Sequence, residues 1–300
     1  SPHTMTTAAS QILHNHLQYV PKNRFQSLHD INQLPMLYNF FTNHSRICFL
    51  TGAGISTESS IPDYRSPEVG SYSKGHTPMT LQQFMKSEAN RKRYYARNML
   101  GYERFCGAQP NRVHYMIHQM SQDPVNRMSG IITQNVDGLH QAAGSPQDQV
   151  TELHGSNHEA ICVNCKQVTS RASYQERLIE ANRPFFEDTR ERLKSVAQET
   201  NRSDGDVSLD EIMTDFSHIV VPECLNCGGI IKPHVVFFGE NMEQRIKDQG
   251  EQMLQDSDAL LVLGSSLQVF SSYRLVLMAK KLDIPVCIIN LGETKSWTFP

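Results

Sequence analysis

Arg46-Ile47-Cys48-Phe49-Leu50-Thr51-Gly52-Ala53-Gly54-Ile55-Ser56 is the stretch on which the fold turns. It opens with a short continuous apolar run, the pattern of a strand buried on both faces. Two glycines follow at once and let the backbone bend sharply from strand into helix. Such a turn also lets the main chain approach a pyrophosphate, whose charge a helix N-terminus favours. Gly52, Ala53, Gly54 and Ile55 are therefore the first candidate nucleotide-binding residues. Two features of a plain dinucleotide turn are missing. Thr57 stands where a third glycine would, and position 72, where a strand-end acid is expected, is Tyr72. A hydride-carrying dehydrogenase fits poorly, and a strand-to-helix turn with no ligand fits the same residues.

Outward from this stretch, further short apolar runs read as strands: SGIIT at 129–133, VVFF at 235–238, DALLVLG at 258–264 and PVCIIN at 285–290. Polar or helical segments separate them. The pattern predicts a Rossmann-like α/β fold, a parallel sheet covered by helices. Two long segments interrupt it: a helical excursion over 68–127, and a cysteine-bearing module over 158–233. The expected division is an N-terminal extension, 1–34, and one domain, 35–300, whose sheet core spans 35–67, 128–157 and 234–300.

Composition excludes several classes. The net charge of -3 is too mild to imply a nucleic-acid partner, and no apolar run is long enough for a membrane-spanning helix. Ser1-Pro2-His3-Thr4-Met5 does not read as a natural start, and no presequence is visible. Seven cysteines include two tight pairs, Cys162/Cys165 and Cys224/Cys227. An odd count with two CxxC knuckles points to metal in a reducing compartment rather than to disulfides. Four thiolates suit one tetrahedral Zn2+, closed to water and therefore structural. Cys48 and Cys287 lie in apolar runs and read as small core residues.

Polar groups gather at the predicted strand ends, where open α/β sheets bind ligands. Gln134, Asn135, Val136 and Asp137 follow one strand, Gly264, Ser265 and Ser266 another, and Asn290, Leu291 and Gly292 a third. Asp137 also suits a helix cap before Gly138. The polar loop 56–66 ends in Asp63, Tyr64 and Arg65 and reads as a cofactor lid or as a solvated turn. His154, between Leu153 and Gly155, is a candidate proton acceptor, with His140 as competitor. A structural histidine explains His154 equally well on sequence alone.

Together these motifs resemble the sirtuins. GAGIS, SIPDYRS, TQNVDGLH, Thr-Glu-Leu-His-Gly, the CxxC…CxxC pair, KPHVVFFGE and GSSLQV occur in that family's order over about residues 35–293. The PDYR form and the long spacer between cysteine pairs are most similar to class II sirtuins, a mitochondrial member among them. The resemblance implies an NAD-dependent protein-lysine deacylase that transfers the acyl group to ADP-ribose and releases nicotinamide. It makes His154 the catalytic base, with Asn135 and Asp137 at the nicotinamide and its ribose. It assigns residues 52–72, including Asp63, Tyr64, Arg65 and Tyr72, to the cofactor loop, and the strand-end groups above to NAD. It also makes the four paired cysteines the zinc ligands. Val235, Val236, Phe237, Phe238 and Gly239 match an edge that pairs with acylated protein substrates by strand addition.

The resemblance further implies a monomer in the mitochondrial matrix. ADP-ribosyl transfer, lipoamide cleavage or a catalytically inactive sensor role are the alternatives. Tyr94 and Arg97, three apart in the excursion, share one helix face. They resemble a tyrosine–arginine pair that binds carboxylate-bearing acyl chains, and branched acyl chains fit the same expectation. A merely solvated Arg97, or one paired with Glu103, fits too. The family pattern continues past the last strand into an adenine-side loop and helix. Here Thr294-Lys295-Ser296-Trp297 follows instead, which predicts weaker cofactor binding.

Overall fold

The computed structural model describes residues 34–66, 70–73, 75, 77–123, 128–195, 205–209, 213–291 and 293–295. The expected N-terminal extension, apart from Leu34, lies outside these, as do Gly292 and Trp297. Among the described residues the strands are β1 (Ile47–Thr51), β2 (Gly130–Thr133), β3 (Val150–Glu152), β4 (Gly155–Cys162), β5 (Val168–Ser170), β6 (Ile231–Val235), β7 (Ala259–Leu263) and β8 (Val286–Ile289). The helices are α1 (Leu34–Asn43), α2 (Leu81–Lys86), α3 (Glu88–Cys106), α4 (Arg112–Ser121), α5 (Leu139–Ala142), α6 (Arg171–Ala181), α7 (Arg183–Ser195), α8 (Gln244–Gln255) and α9 (Phe270–Lys281). None of these helices is long and apolar enough to cross a membrane.

Five strands form a parallel sheet in the order β3-β2-β1-β7-β8. The period of two along β1 divides its side chains between two cores. Phe49 packs with Phe41 of α1 and with Ile117 and Met120 of α4. Cys48 and Leu50 face the opposite layer, with Leu254 of α8 and Leu275 and Val276 of α9. Burial pushes the Cys48 thiol up to about 12, so it behaves as a small apolar group.

A second, antiparallel sheet has the order β5-β4-β6. Its core unites both long excursions. Phe84, Tyr95 and Met99 from α2 and α3 pack with Ala160, Tyr174, Leu178 and Ile231 from the cysteine segment. Arg171 is buried in this core. Its guanidinium donates to Asn98 Oδ1 at 2.6 Å and Gln175 Oε1 at 2.9 Å and lies over the Tyr102 ring. Hydrogen bonds and an aromatic face thus replace a carboxylate partner.

Several expectations need correction. VVFF at 235–238 is not a strand of the parallel sheet. The strand is β6, and Phe237 instead fills the second core against Phe84 and Tyr94. The glycine turn enters a 3-10 helix, Ala53–Ser59, rather than an α-helix. The helical excursion is split, because α4 returns to cover the parallel sheet. Residues 155–157 belong to β4 and not to the sheet core. The helix expected from Gly138 starts at Leu139.

Candidate functional site

The chain adds strands to one side of β1 as far as β3 and then crosses to the other side with β7, so the sheet's switch point lies between β1 and β7. Ligands bind at such points, beyond the carboxyl ends of the strands. Here the two glycine loops meet. The Gly52 amide donates to the Leu263 carbonyl at 3.0 Å and the Gly54 amide to the Gly264 carbonyl at 2.9 Å. A Cβ on Gly54 would stand 2.8 Å from the Gly264 oxygen, and Gly264 itself has φ +59°. The glycines are there because two backbones touch.

The β2 end joins them. Gln134 donates from Nε2 to Ser265 Oγ at 2.7 Å. Asn135, buried, donates from Nδ2 to Ser56 Oγ at 3.0 Å and to the Gly52 carbonyl at 3.2 Å. The Ser56 hydroxyl donates to Asp137 Oδ2 at 2.7 Å, while Asp137 Oδ1 accepts from the Leu139 amide at 3.0 Å. Asp137 thus ties the amide at the start of α5 to the Ser56 hydroxyl. Ser56, which sequence reasoning did not single out, is the hub of this network.

His154 follows β3, where the Leu153 amide bonds the Thr133 carbonyl at 2.9 Å. Its Nδ1 lies 2.8 Å from the Gln134 carbonyl, which can only accept. The proton is thus on Nδ1, and Nε2 is left as an acceptor facing the Ser271 hydroxyl at 2.8 Å. Burial pushes the imidazole below its usual 6.5, against the backbone bond to Gln134. A neutral ring with an available Nε2 suits a general base. His140 is different. It is buried, contacts the Thr51 hydroxyl at 3.0 Å, and is pushed down to about 3 by burial and by neighbouring His114. It is a neutral core histidine beneath the site. Ser271 was invisible in the sequence because its partner lies on a distant strand end.

The residues expected in a cofactor loop lie against one another. Tyr64 and Tyr72 rings stand 5.5 Å apart, with Arg65 over the Tyr72 ring. Asp63 accepts from the Ser66 amide at 2.9 Å, and its carbonyl accepts from Ser71. Ser266 also lies on the switch-point side, its carbonyl accepting from the Lys295 amide at 2.9 Å. At the β8 end, the Ile289 carbonyl accepts from Gly264, and Leu291 is largely exposed.

The edge at 235–239 runs beside His154. The Val236 amide donates to the His154 carbonyl at 2.8 Å. Phe238 pairs with Thr80 and is half-exposed. Lys232 shapes this edge from below, donating to the Val235 carbonyl at 2.6 Å and pairing with Glu240 at 3.0 Å. Glu240 also accepts the Phe237 amide at 2.9 Å. Tyr94 packs against Phe237, its ring 5.5 Å away. Arg97 does not pair with Glu103, which bonds Arg190 instead. Arg97 Nε faces Asp206 Oδ2 at 3.2 Å.

The four paired cysteines converge. Cys162 and Cys227 sulfurs are 3.5 Å apart, Cys165 and Cys224 sulfurs 3.7 Å, and all four ligand atoms lie within 4.8 Å of one another. Sulfurs around a tetrahedral zinc, with bonds of about 2.3 Å, stand about 3.8 Å apart, so the cluster fits that ion. All four are free of disulfides.

Comparison with known proteins agrees with this geometry. The chain is 42% identical over 281 residues to the NAD-dependent protein deacylase Sirt4 of Drosophila melanogaster, covering 93% of this chain and 84% of that protein. It is 38% identical over 268 residues to the human NAD-dependent protein lipoamidase sirtuin-4, mitochondrial, covering 89% and 81%. Among solved structures, a Sir2–p53 peptide–NAD+ complex superposes with a TM-score of 0.62 at 28% identity, covering 87% of this chain and 88% of that one. A Sir2Tm complex with a propionylated peptide superposes at 0.63 and 26% identity, with 87% and 88% covered. Residues 52–271, from the first glycine loop to Ser271, match the Sir2 family, and the chain belongs to that family.

Proposed function

We infer that this chain is an NAD-dependent protein-lysine deacylase, and that His154 is its base. The observation carrying this is the fixed tautomer of His154, whose Nδ1–H is held by the Gln134 carbonyl and whose Nε2 is left as the acceptor. When bound, NAD supplies the ribose carbon that takes the acyl group and the nicotinamide that leaves. The chain's own residues do the rest. His154 accepts a proton at Nε2 while its Nδ1–H stays on the Gln134 carbonyl, which spreads the imidazolium charge. Asn135 and Asp137, held through Ser56, orient the nicotinamide end.

Gly52, Ala53, Gly54, Ile55, Gln134, Val136, Gly264, Ser265, Ser266, Asn290 and Leu291 would line the nucleotide, and Asp63, Tyr64, Arg65 and Tyr72 would cover it. Val235 to Gly239 would pair with the substrate backbone. Cys162, Cys165, Cys224 and Cys227 would hold one Zn2+ whose role is structural, since four protein thiolates leave no open position. Two relatives are named mitochondrial lipoamidases, which supports a mitochondrial location and makes lipoyl-lysine a first acyl chain to try.

The test is mass spectrometry of acyl-lysine peptides incubated with protein and NAD. The expected products are free lysine, nicotinamide and O-acyl-ADP-ribose. NAD consumption without acyl loss from any peptide would sink the reading.

A further inference from the structure

Cys106, the last residue of α3, is half-buried, and a small reagent reaches it. It is not isolated. Tyr102, one turn earlier on the same helix, and His158 of β4 each hydrogen-bond its side chain. His158 Nε2 lies 2.8 Å from the Asp137 carbonyl, which can only accept. That bond keeps a proton on Nε2 and leaves Nδ1 as the basic atom of the ring. The ring is pushed up to about 9, chiefly by its bond to Cys106 and against burial, with the Asp137 carbonyl adding to the rise. Tyr102 is pushed up to about 12, chiefly by burial, so its hydroxyl stays protonated and donates to the sulfur. A nucleophile, a base and a group that orients the base are the parts of an activated thiol. The C-terminus of α3 carries about half a negative charge and opposes a thiolate, but the imidazolium carries a full positive one at hydrogen-bond distance.

The same groups hold the loop after β2. Cys106, Ala108 and Val136 pack on one small cluster of Ile61, Phe105 and Leu139. The Asn157 amide donates to the Val136 carbonyl at 2.9 Å, and His158 bonds the next carbonyl, that of Asp137. Gly138 has φ +68°, and a Cβ there would stand 2.8 Å from His158 Nε2. The backbone at 136–138 is thus clamped by β4, while the side chains of Asn135 and Asp137 meet at Ser56. A change at the Cys106 sulfur reaches this loop through a single ring.

We propose that Cys106 is a redox-modification site: its thiolate, formed by proton transfer to His158, reacts with hydrogen peroxide to a sulfenic acid, and the added oxygen displaces His158 from the loop that carries Asn135 and Asp137. The sulfur attacks one peroxide oxygen, so an S–O bond forms and the O–O bond breaks. Sulfur is oxidised by two electrons, and the leaving hydroxide takes the His158 proton and departs as water. A thiol reductant reverses the step. The effect on turnover rests on the deacylase reading, whereas the thiol chemistry does not.

The experiment treats zinc-loaded protein with hydrogen peroxide and a dimedone probe, followed by trypsin and mass spectrometry. Cleavage after Arg104 and Arg112 releases residues 105–112, in which Cys106 is the sole cysteine. The same peptide free in solution is the reference for an ordinary thiol. At pH 7, Cys106 of the folded protein should be labelled at least about threefold faster than the peptide, because tenfold more thiolate is partly offset by its weaker nucleophilicity. His158→Gln, whose amide can still donate to the Asp137 carbonyl, should fall to the peptide's rate. Peroxide should lower kcat/KM and NAD affinity by about 2–13-fold, the worth of one lost hydrogen bond, and dithiothreitol should restore both. Cys106→Ser should keep the untreated turnover and resist peroxide. Labelling of wild-type Cys106 no faster than the peptide would overturn the proposal without any variant. Peroxide sensitivity unchanged in Cys106→Ser would overturn its link to the site. Fast labelling of Cys106 in a protein that turns over no acyl-lysine peptide before treatment would overturn the deacylase reading instead.

Discussion

The Ser271 hydroxyl stands 2.8 Å from Nε2 of His154, across the gap between the first turn of α9 and the end of β3. It satisfies the basic nitrogen and, with the Gln134 carbonyl, fixes the orientation of the ring. Ser271→Ala should lower kcat/KM by about 2–13-fold, the net worth of one neutral hydrogen bond. Ser271→Thr should restore most of it. Steady-state kinetics on both variants checks this, and equal rates for alanine and threonine variants would remove Ser271 from the site's machinery.

His154 also sets a pH limb. Its folded-state pKa lies below 6.5, so the neutral, active form persists as pH falls through 6.5 and is lost only at lower pH. The kcat/KM profile should therefore retain more than half of its plateau at pH 6.5. His154→Ala should lose at least about 10²-fold in turnover while still folding. A midpoint above 6.5 would contradict the burial argument.

The cysteine cluster predicts a metal-dependent fold in the second core. Cys162 and Cys224 are buried beside Ile231 and Ala160, so losing the ion disturbs that core directly. Cys227→Ser should release zinc and lower the melting temperature, because metal binding and folding are linked. Elemental analysis beside a melting curve tests this. Zinc loss with unchanged melting would disprove the structural role.

Glu240 predicts a stability loss with a local signature. Lys232 is buried, and Glu240 supplies its carboxylate partner while accepting the Phe237 amide. Glu240→Gln removes the carboxylate bonded to the ammonium and should cost about 3 kcal/mol. It should also raise KM for peptide more than it lowers kcat, since the edge at 235–239 is what moves. Chemical denaturation and kinetics measure the two effects. A variant as stable as wild type would show that water or other groups hold Lys232.

The parallel sheet was legible because β1, β2 and β7 are buried on both faces and so read as continuous apolar runs, and because β8, though only partly buried, is apolar throughout. β3 was not, since Val150–Glu152 is short and ends in an acid. β6 was misplaced for a physical reason. It carries Lys232-Pro233-His234, a polar pattern tolerated because Lys232 finds Glu240, while the apolar Phe237 beyond it packs on aromatic rings. The site's glycines, polar strand ends and cysteines were legible as local motifs. Ser271 was not, because its partner His154 lies far along the chain.

The shared core of α2, α3 and the β4–β6 sheet has a consequence for how the protein is made. α3 is complete at Cys106, but the strand that covers it ends at Val235. At about 5–20 residues per second, the ribosome takes roughly 6–26 s to bridge that interval. Until it closes, Phe84, Tyr95 and Met99 have only one another and Tyr94 to pack against, and the partners from 160–231 arrive one by one. Nascent chains of this protein therefore expose an aromatic helix face during synthesis, the kind of surface that chaperones hold.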